Sequence, residues 1–302
     1  MKALWDSAAG LLVITGFLLG VGLPLGKIAS AAGVHPAVWS FVISLGAGGV
    51  LLCVLLVRRQ RTKLTGHRLR YFFLAAALSY ALPNLVVFSV IPRLGAGYTG
   101  IMYTLSPVVT LAFSLLLGTQ RPNALGMVGI AVGFAGAAMV AITRGEAAQP
   151  ADPIWVAIGL LVPVLLAAGN IYRTIDWPAD TGPTELAVGS HLASAAMLLV
   201  AIILVPGLSA FAPLAETPVA TIAQVVAAAA MFAFYFRLQA VGGPVYLSQI
   251  SYVAAAVGLF AGTLFLGEHY RWETWFGALI VMVGVAVTTR AQRAGLREQA
   301  AG

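Results

Sequence analysis

The chain has 302 residues, of which 60% are hydrophobic and only 9% are charged, and its net charge is +7. This composition excludes a water-soluble globular protein, because too few polar side chains are available to cover its surface. The positive charge does not indicate nucleic-acid binding, because the 17 lysines and arginines lie at the ends of apolar segments or in short connections.

Ten segments are apolar enough to cross a membrane as helices, which takes about 20 residues each. Strands are not expected, because no segments of alternating polarity indicate a barrel and an open sheet edge is unstable in lipid. The first segment lacks an obvious cleavage site and is expected to remain as the first helix. In chain order the predicted spans are residues 9–29, 36–57, 71–91, 95–118, 122–143, 154–174, 183–205, 219–239, 244–267 and 272–290.

Positive charges predict how these spans are oriented. An even number of spans places both termini on one side, and the loops and tails of that side carry 13 of the 17 lysines and arginines, six of them within residues 58–70. Because positively charged loops remain in the cytoplasm, we expect both termini there and the protein in a bacterial inner membrane. The opposite side carries only Lys27, Arg93, Arg144 and Arg271.

A polar stretch at residues 144–153 divides the spans into five and five, and an odd number per half gives the halves opposite orientations. Gly118 closes the fourth span as Gly267 closes the ninth, each after a leucine. The sequence therefore predicts an all-α polytopic membrane protein built from two inverted five-helix repeats, residues 1–147 and 148–302. The alternative is that apolar, glycine-rich helices resemble one another by composition alone.

Three short motifs carry a resemblance to a known family. They are Leu-Ser-Pro-Val at 105–108, Leu-Leu-Leu-Gly at 115–118 and Leu-Phe-Leu-Gly-Glu at 264–268. In these motifs and in the order of its spans the chain resembles the EamA-type carriers of the drug/metabolite transporter superfamily, most closely the YddG-type aromatic amino-acid exporters. The resemblance implies ten helices, two five-helix repeats and cytoplasmic termini. The chain departs from the family pattern at Thr119, where the first repeat has Glu, and at Tyr252, near an expected Pro.

Polar and aromatic side chains recur at helical spacing in the third, fourth, eighth and ninth predicted spans. An amide facing lipid would remain unsatisfied, so these faces are expected to look inward. They could merely hydrogen-bond one helix to another, but their presence in both repeats favours a shared cavity for amphipathic organic molecules. The predicted binding residues are Tyr80, Asn84, Thr99, Tyr103, Ser106, Asn170, His191, Tyr235, Gln249 and Tyr252, and the same faces carry Phe88, Thr110, Gln224, Met231, Ser248 and Ser251.

Ionisable residues are scarce within the spans. All ten acidic residues fall at span ends or in loops, which favours uncoupled transport over proton coupling. His191 lies well inside the seventh span, where it is either a neutral histidine hydrogen-bonded between helices or a proton relay. Lys27 and Arg173 lie near the ends of the first and sixth spans, and their long side chains are expected to extend to the lipid headgroups rather than to contact substrate.

Four prolines fall within predicted spans, and each removes a backbone donor and leaves a carbonyl free. Such positions can serve as hinges between two conformations, can be ordinary kinks, or can offer their carbonyls to a substrate ammonium group. The predicted hinge residues are Pro24, Pro83, Pro107 and Pro163.

Motifs of other functional classes do not support an enzyme. The sequence has no His-Glu-x-x-His, no Gly-x-Ser-x-Gly and no Walker motif, so we expect no catalytic residue, metal site or cofactor. The glycines at 95, 97 and 100 match a dinucleotide fingerprint but lack the preceding strand. We expect a monomeric secondary transporter in the lipid bilayer that exports amino acids of broad type by alternating access. The alternatives are a proton-coupled drug or metabolite exporter, a passive channel or receptor, and an integral membrane enzyme.

Overall fold

The computed structural model describes residues 7–59, 64–119, 123–142 and 152–301. All regular structure in these ranges is helical. Lys2, Arg61, Lys63, Arg121 and Arg144, which contribute to the predicted orientation, lie outside them, as does the predicted repeat boundary at residues 147 and 148. The ten main helices are α1 (Ala8–Ala31), α2 (Pro36–Val57), α3 (Gly66–Leu94), α4 (Ala96–Leu116), α5 (Ala124–Ile142), α6 (Pro153–Ile175), α7 (Pro183–Leu204), α8 (Pro218–Ser248), α9 (Ile250–Leu266) and α10 (Trp272–Ala301).

Seven of the described helices are long and apolar enough to cross a membrane, and three shorter apolar segments lie in α5, α9 and α10. Large apolar side chains such as those of Phe17, Leu116, Leu204 and Val219 are exposed on the outside of the bundle, as expected for surfaces that face lipid. The predicted all-α polytopic membrane fold is therefore confirmed, and the described residues form ten main helices.

Local sequence explains where several helices begin. The hydroxyl of Ser7 accepts a hydrogen bond from the Gly10 amide at 3.2 Å, and the carboxylate of Asp152 accepts one from the Ile154 amide at 2.9 Å. Proline occupies the first turn of α2, α6, α7 and α8, where the absence of an N–H has no cost. The capping side chains accept hydrogen bonds from amide groups that a helix leaves free at its start, and the prolines have no such N–H group to satisfy.

The two repeats share a pattern of backbone breaks around their fourth helices. Gly95 and Gly118 flank α4 with φ of 83° and 63°, and Gly243 and Gly267 flank the corresponding segment of the second repeat with φ of 70° and 66°. Positive φ at these values is readily adopted only by glycine. The predicted ninth span begins at Pro244, directly after the backbone break at Gly243. The structure places this break within α8.

Helices of one repeat pack closely against helices of the other. A methyl group added to Gly16 of α1 would lie 2.5 Å from the Cβ of Val253 in α9, and one added to Gly284 of α10 would lie 2.5 Å from the Gly133 amide of α5. Only residues without a side chain allow such close approach between helices. The two repeats consequently form one bundle around a shared centre.

Candidate functional site

A cavity with about 820 Å³ of empty space, its opening included, lies at the centre of the bundle. Side chains from α1 to α4, α6, α8 and α9 line it, so both repeats contribute to its wall. Six of the ten predicted binding residues are among them: Tyr80, Asn84, Tyr103, Ser106, Asn170 and Tyr235. Of the further residues on the same predicted faces, Phe88, Gln224, Met231, Ser248 and Ser251 also line the cavity.

Thr99, Gln249 and Tyr252 do not line this cavity. The Thr99 hydroxyl donates to the Gly95 carbonyl at 2.7 Å within the first turn of α4, and the Gln249 amide oxygen accepts from the Thr288 hydroxyl of α10. Tyr252 lines a smaller cavity between α4, α9 and α10. Helical spacing correctly groups residues on one face, but part of the polar face of α9 packs against α10 instead of facing the central cavity.

His191 is fully buried one layer behind the cavity wall. Its ring lies 4.3 Å from the Tyr80 ring and 3.9 Å from the Phe232 ring, measured between centroids. Neither ring nitrogen has a hydrogen-bond partner within the part of the chain that the structure describes. The expected hydrogen bond to a neighbouring helix is therefore absent there, and the imidazole packs between two aromatic rings instead.

A local distortion of α3 sets the positions of Ser79, Tyr80 and Asn84. Residues Ala77–Ala81 form a π-helical turn directly before Pro83, which has no N–H to donate to the carbonyl four residues earlier. Such a turn adds a residue to the helix and changes the direction of the side chains on either side. Ser79, Tyr80, Pro83 and Asn84 all reach the cavity as a result.

Breaks in other helices also occur beside the predicted hinge prolines. The two parts of α4 meet at Thr104 and Leu105, just before Pro107, and the two parts of α6 meet at Leu160, just before Pro163. Pro24 lies instead within the uninterrupted α1. Three of the four prolines thus adjoin irregular backbone, while their role as hinges stays a prediction.

Three fully buried polar atoms in residues that line the cavity have no hydrogen-bond partner in the described ranges. They are the Tyr80 hydroxyl, the Ser106 hydroxyl and the Gln224 amide oxygen. Buried polar groups in proteins are nearly always paired, and these three, which are inaccessible in this conformation, belong to side chains that also form the cavity wall. The remaining wall is largely aliphatic and aromatic, and none of the described residues that form it is charged.

Arg173 was expected to extend toward the headgroups, and that expectation is wrong. Its side chain is fully buried in the bundle, directly behind the cavity wall. Its guanidinium group donates to the Gln239 amide oxygen at 2.8 Å, to the Asn170 amide oxygen at 2.7 Å, and to the hydroxyls of Ser79 and Tyr235.

The partners of Arg173 come from three helices that are distant in sequence, α3, α6 and α8, and none of the four is acidic. No carboxylate lies within 4.0 Å of the guanidinium in the described residues, although three aromatic rings lie within 6 Å of it. One local feature of the sequence does indicate part of this arrangement, because Arg173 follows Asn170 by three residues and so lies on the same helix face.

Lys27 was also expected to reach the headgroups, and it instead forms an ion pair with Glu268. The Glu268 side chain is fully buried and also accepts hydrogen bonds from the Tyr270 hydroxyl, the Ala96 amide at 3.0 Å and the Gly97 amide at 3.2 Å. Burial raises the pKa of the Glu268 carboxyl, but the hydrogen bonds from Lys27, Tyr270 and Ala96 outweigh burial and hold that pKa below its ordinary value.

Glu268 therefore occupies the N-terminus of α4, the helix that follows the glycine-rich stretch at 95–100. A helix N-terminus attracts negative charge, and here a carboxylate of the second repeat supplies it. This occupancy gives a structural reason to reject the dinucleotide interpretation of that stretch. Together with Lys27 of α1, the carboxylate connects the two repeats at one end of the bundle.

The opposite end of the bundle holds a second group of contacts between the repeats. Arg68 of α3 donates to Glu185 of α7 at 2.7 Å, while His67 and Arg70 lie 3.0 and 2.9 Å from Asp176, just after α6. Burial raises the pKa of the Asp176 carboxyl, but hydrogen bonds from Tyr172 and His67 and the charge of Arg70 outweigh it and leave the pKa lowered.

Comparison with known proteins connects the chain to one family. The EamA-like transporter family matches residues 6–142 and residues 154–290. A solved structure, titled only as the crystal structure of a protein, aligns with a TM-score of 0.67 over 95% of this chain and 99% of that one. Its identity of 18% shows a shared fold and no more. The search of curated proteins found no match.

Proposed function

The chain belongs to the EamA-like transporter family and is a membrane transporter, and we propose that it exports neutral amino acids, aromatic ones included, from the cytoplasm. The observation that carries this proposal is the central cavity, whose wall combines polar side chains with aromatic rings from both repeats. A cavity of this kind accommodates a small molecule with one polar end and one apolar end. The resemblance to YddG-type exporters supports the same substrate class.

Alternating access is the proposed mechanism. Contacts between the repeats hold each end of the bundle, Lys27 with Glu268 at one end and Arg68 with Glu185 at the other. Breaking one set while the other remains would open the cavity to one side at a time. The irregular backbone next to Pro83, Pro107 and Pro163 provides places where the helices can bend.

Transport is proposed to be uncoupled, because no charged side chain lines the cavity in the part of the chain that the structure describes. A proton-coupled exporter is the second candidate, and it is favoured by one observation, the buried imidazole of His191 with both nitrogens unpaired in the described residues. The proposed location is a bacterial inner membrane. There the end of the bundle with Arg58, Arg59, Arg68 and Arg70 would face the cytoplasm together with both termini.

The proposal is tested with purified protein in liposomes, by following uptake of labelled phenylalanine, threonine and methionine. We expect saturable uptake, a loss of about tenfold for Tyr103→Ala and Asn170→Ala, and no change for Phe17→Ala, whose ring is on the lipid-facing surface. Uptake equal to that of protein-free liposomes would refute amino-acid transport. Uphill accumulation under an imposed pH gradient would instead support the proton-coupled candidate.

A further inference from the structure

We infer that Arg173 selects substrates by their carboxylate group, so that the carboxylate is required for transport while the ammonium group is dispensable. This inference rests on the proposed function of the central cavity and specifies which end of an amino acid that cavity recognises. It makes Arg173 a specificity-determining residue although its side chain is not part of the wall.

The first step is the missing counter-charge. Arg173 is fully buried, and none of its hydrogen-bond partners is acidic. A buried arginine inside a membrane bundle ordinarily pairs with a carboxylate, because an uncompensated charge in a low-dielectric surrounding is costly. The described part of the chain provides hydrogen bonds for this guanidinium but no carboxylate within 4.0 Å of it, so an anionic ligand would be stabilised nearby.

The second step is that the charge acts at the cavity. Ser79, Asn170 and Tyr235 each accept a hydrogen bond from Arg173, and all three line the cavity. The positive charge is therefore one side chain away from the wall. The Asn170 amide oxygen accepts from Arg173 at 2.7 Å and from the Tyr235 hydroxyl at 3.0 Å, and an amide polarised in this way donates its own N–H groups more strongly to an anionic acceptor.

The third step concerns the charge of the cavity wall itself. Among the described residues the wall contains no charged side chain of either sign, and Arg173 is hydrogen-bonded to three of the residues that form it. For the ammonium group of an amino acid, the described part of the wall offers neutral side-chain acceptors, among them those of Asn84, Tyr103 and Ser251. The arrangement is consequently asymmetric, with a fixed charge for the carboxylate and weaker dipoles for the amine.

The experiment compares three probes that share one ring: tyrosine, its des-amino analogue 3-(4-hydroxyphenyl)propionate, and its des-carboxy analogue tyramine. Uptake is measured in liposomes containing the full chain, with protein-free liposomes subtracted. We expect tyrosine and the des-amino acid to be taken up and tyramine to enter at least about tenfold more slowly, because only tyramine lacks the charge that Arg173 attracts. Membrane current gives a second readout, since the des-amino anion carries net charge and tyrosine does not.

Two variants of Arg173 and one control connect the preference to this residue. Arg173→Gln should lower uptake of both carboxylates by at least about tenfold without lowering that of tyramine, whereas Arg173→Lys, which retains the charge, should keep the preference for carboxylates. Arg93→Gln removes a charge from an arginine of α3 that lies over Trp155 and away from the cavity, and it should leave the pattern unchanged. Size-exclusion chromatography and thermal unfolding confirm that each variant is folded.

Each outcome separates the inference from the proposed function. Equal transport of tyrosine and tyramine would overturn the role of Arg173 but leave amino-acid export in place. A folded Arg173→Gln variant that keeps the carboxylate preference would have the same meaning. Transport of the des-amino acid without tyrosine would support Arg173 and overturn amino-acid export. If none of the three probes enters, both are overturned. The comparison of probes on the unaltered protein gives an answer even if Arg173→Gln fails to fold.

Discussion

The contact between Glu268 and Lys27 should control how often the cavity opens at that end of the bundle. Glu268→Gln keeps the size of the side chain but removes its charge, and the Lys27 ammonium and the amides of Ala96 and Gly97 then face a neutral group. Hydrogen bonds to a charged partner contribute about 1.5–3 kcal/mol, and since Lys27 is partly exposed we take about 2 kcal/mol for the loss. That value corresponds to an increase of about 30-fold in the population open at this end.

Alkylation of a cysteine in the cavity measures this population. Leu23 lines the cavity one helical turn from Lys27, and only 2% of it is exposed. A cysteine at this position, introduced as Leu23→Cys in a chain where Cys53 is replaced by serine, therefore becomes accessible to the reagent only when this end opens. We expect Glu268→Gln to accelerate alkylation by up to about 30-fold. Glu273→Gln, which removes a nearby exposed carboxylate that pairs with Arg271, serves as the control and should not change the rate. Equal rates in both variants would refute the proposed connection between this ion pair and opening.

Three further predictions concern stability, its dependence on pH, and transport. Gly284→Ala should lower the free energy of unfolding by about 1–3 kcal/mol, because its methyl group would meet the backbone of Gly133. Gly49→Ala is the control, since a methyl group there meets open space and should not lower the free energy of unfolding. Thermal unfolding in detergent compares the two variants. The pKa of Asp176 is lowered by its partners, so its stabilising effect should be complete above the ordinary aspartate pKa and be lost as pH falls through the lowered one. Melting temperatures of the unaltered chain and Asp176→Asn should therefore converge in acid, and a constant difference would contradict this. Tyr103→Phe should retain more transport than Tyr103→Ala if the ring itself contacts substrate, and equal losses would indicate that only the hydroxyl matters.

The positions of the polar residues show how far sequence reasoning reaches. Tyr80, Asn84 and Phe88 repeat every four residues and so share one side of α3, and in the structure all three line the cavity. Gln249 and Tyr252 belong to an equally polar segment, yet α10 and α5 cover them. Periodicity defines a face, but only the packing of a second helix decides whether that face meets a cavity or another helix.

Arg173 and Lys27 illustrate the same limit for charged residues. Both lie near the end of a predicted span, where a long cationic side chain ordinarily reaches the headgroups. Their partners Gln239, Ser79 and Glu268 are between 66 and 241 residues away along the chain. No local pattern could indicate those contacts, and both expectations were wrong for that reason.

The amino-acid sequence by itself determined the ten helices, their approximate ends and the division into two repeats. These features are readable from the sequence because a helix that crosses lipid needs about 20 consecutive apolar residues, and each segment has them independently of its contacts with other segments. Only the tertiary structure decided which polar groups surround the cavity, that Arg173 is buried behind its wall, and that Glu268 joins the two repeats. Those features depend on which distant helices come into contact, and the burial of a charge is a property of that contact rather than of the residue.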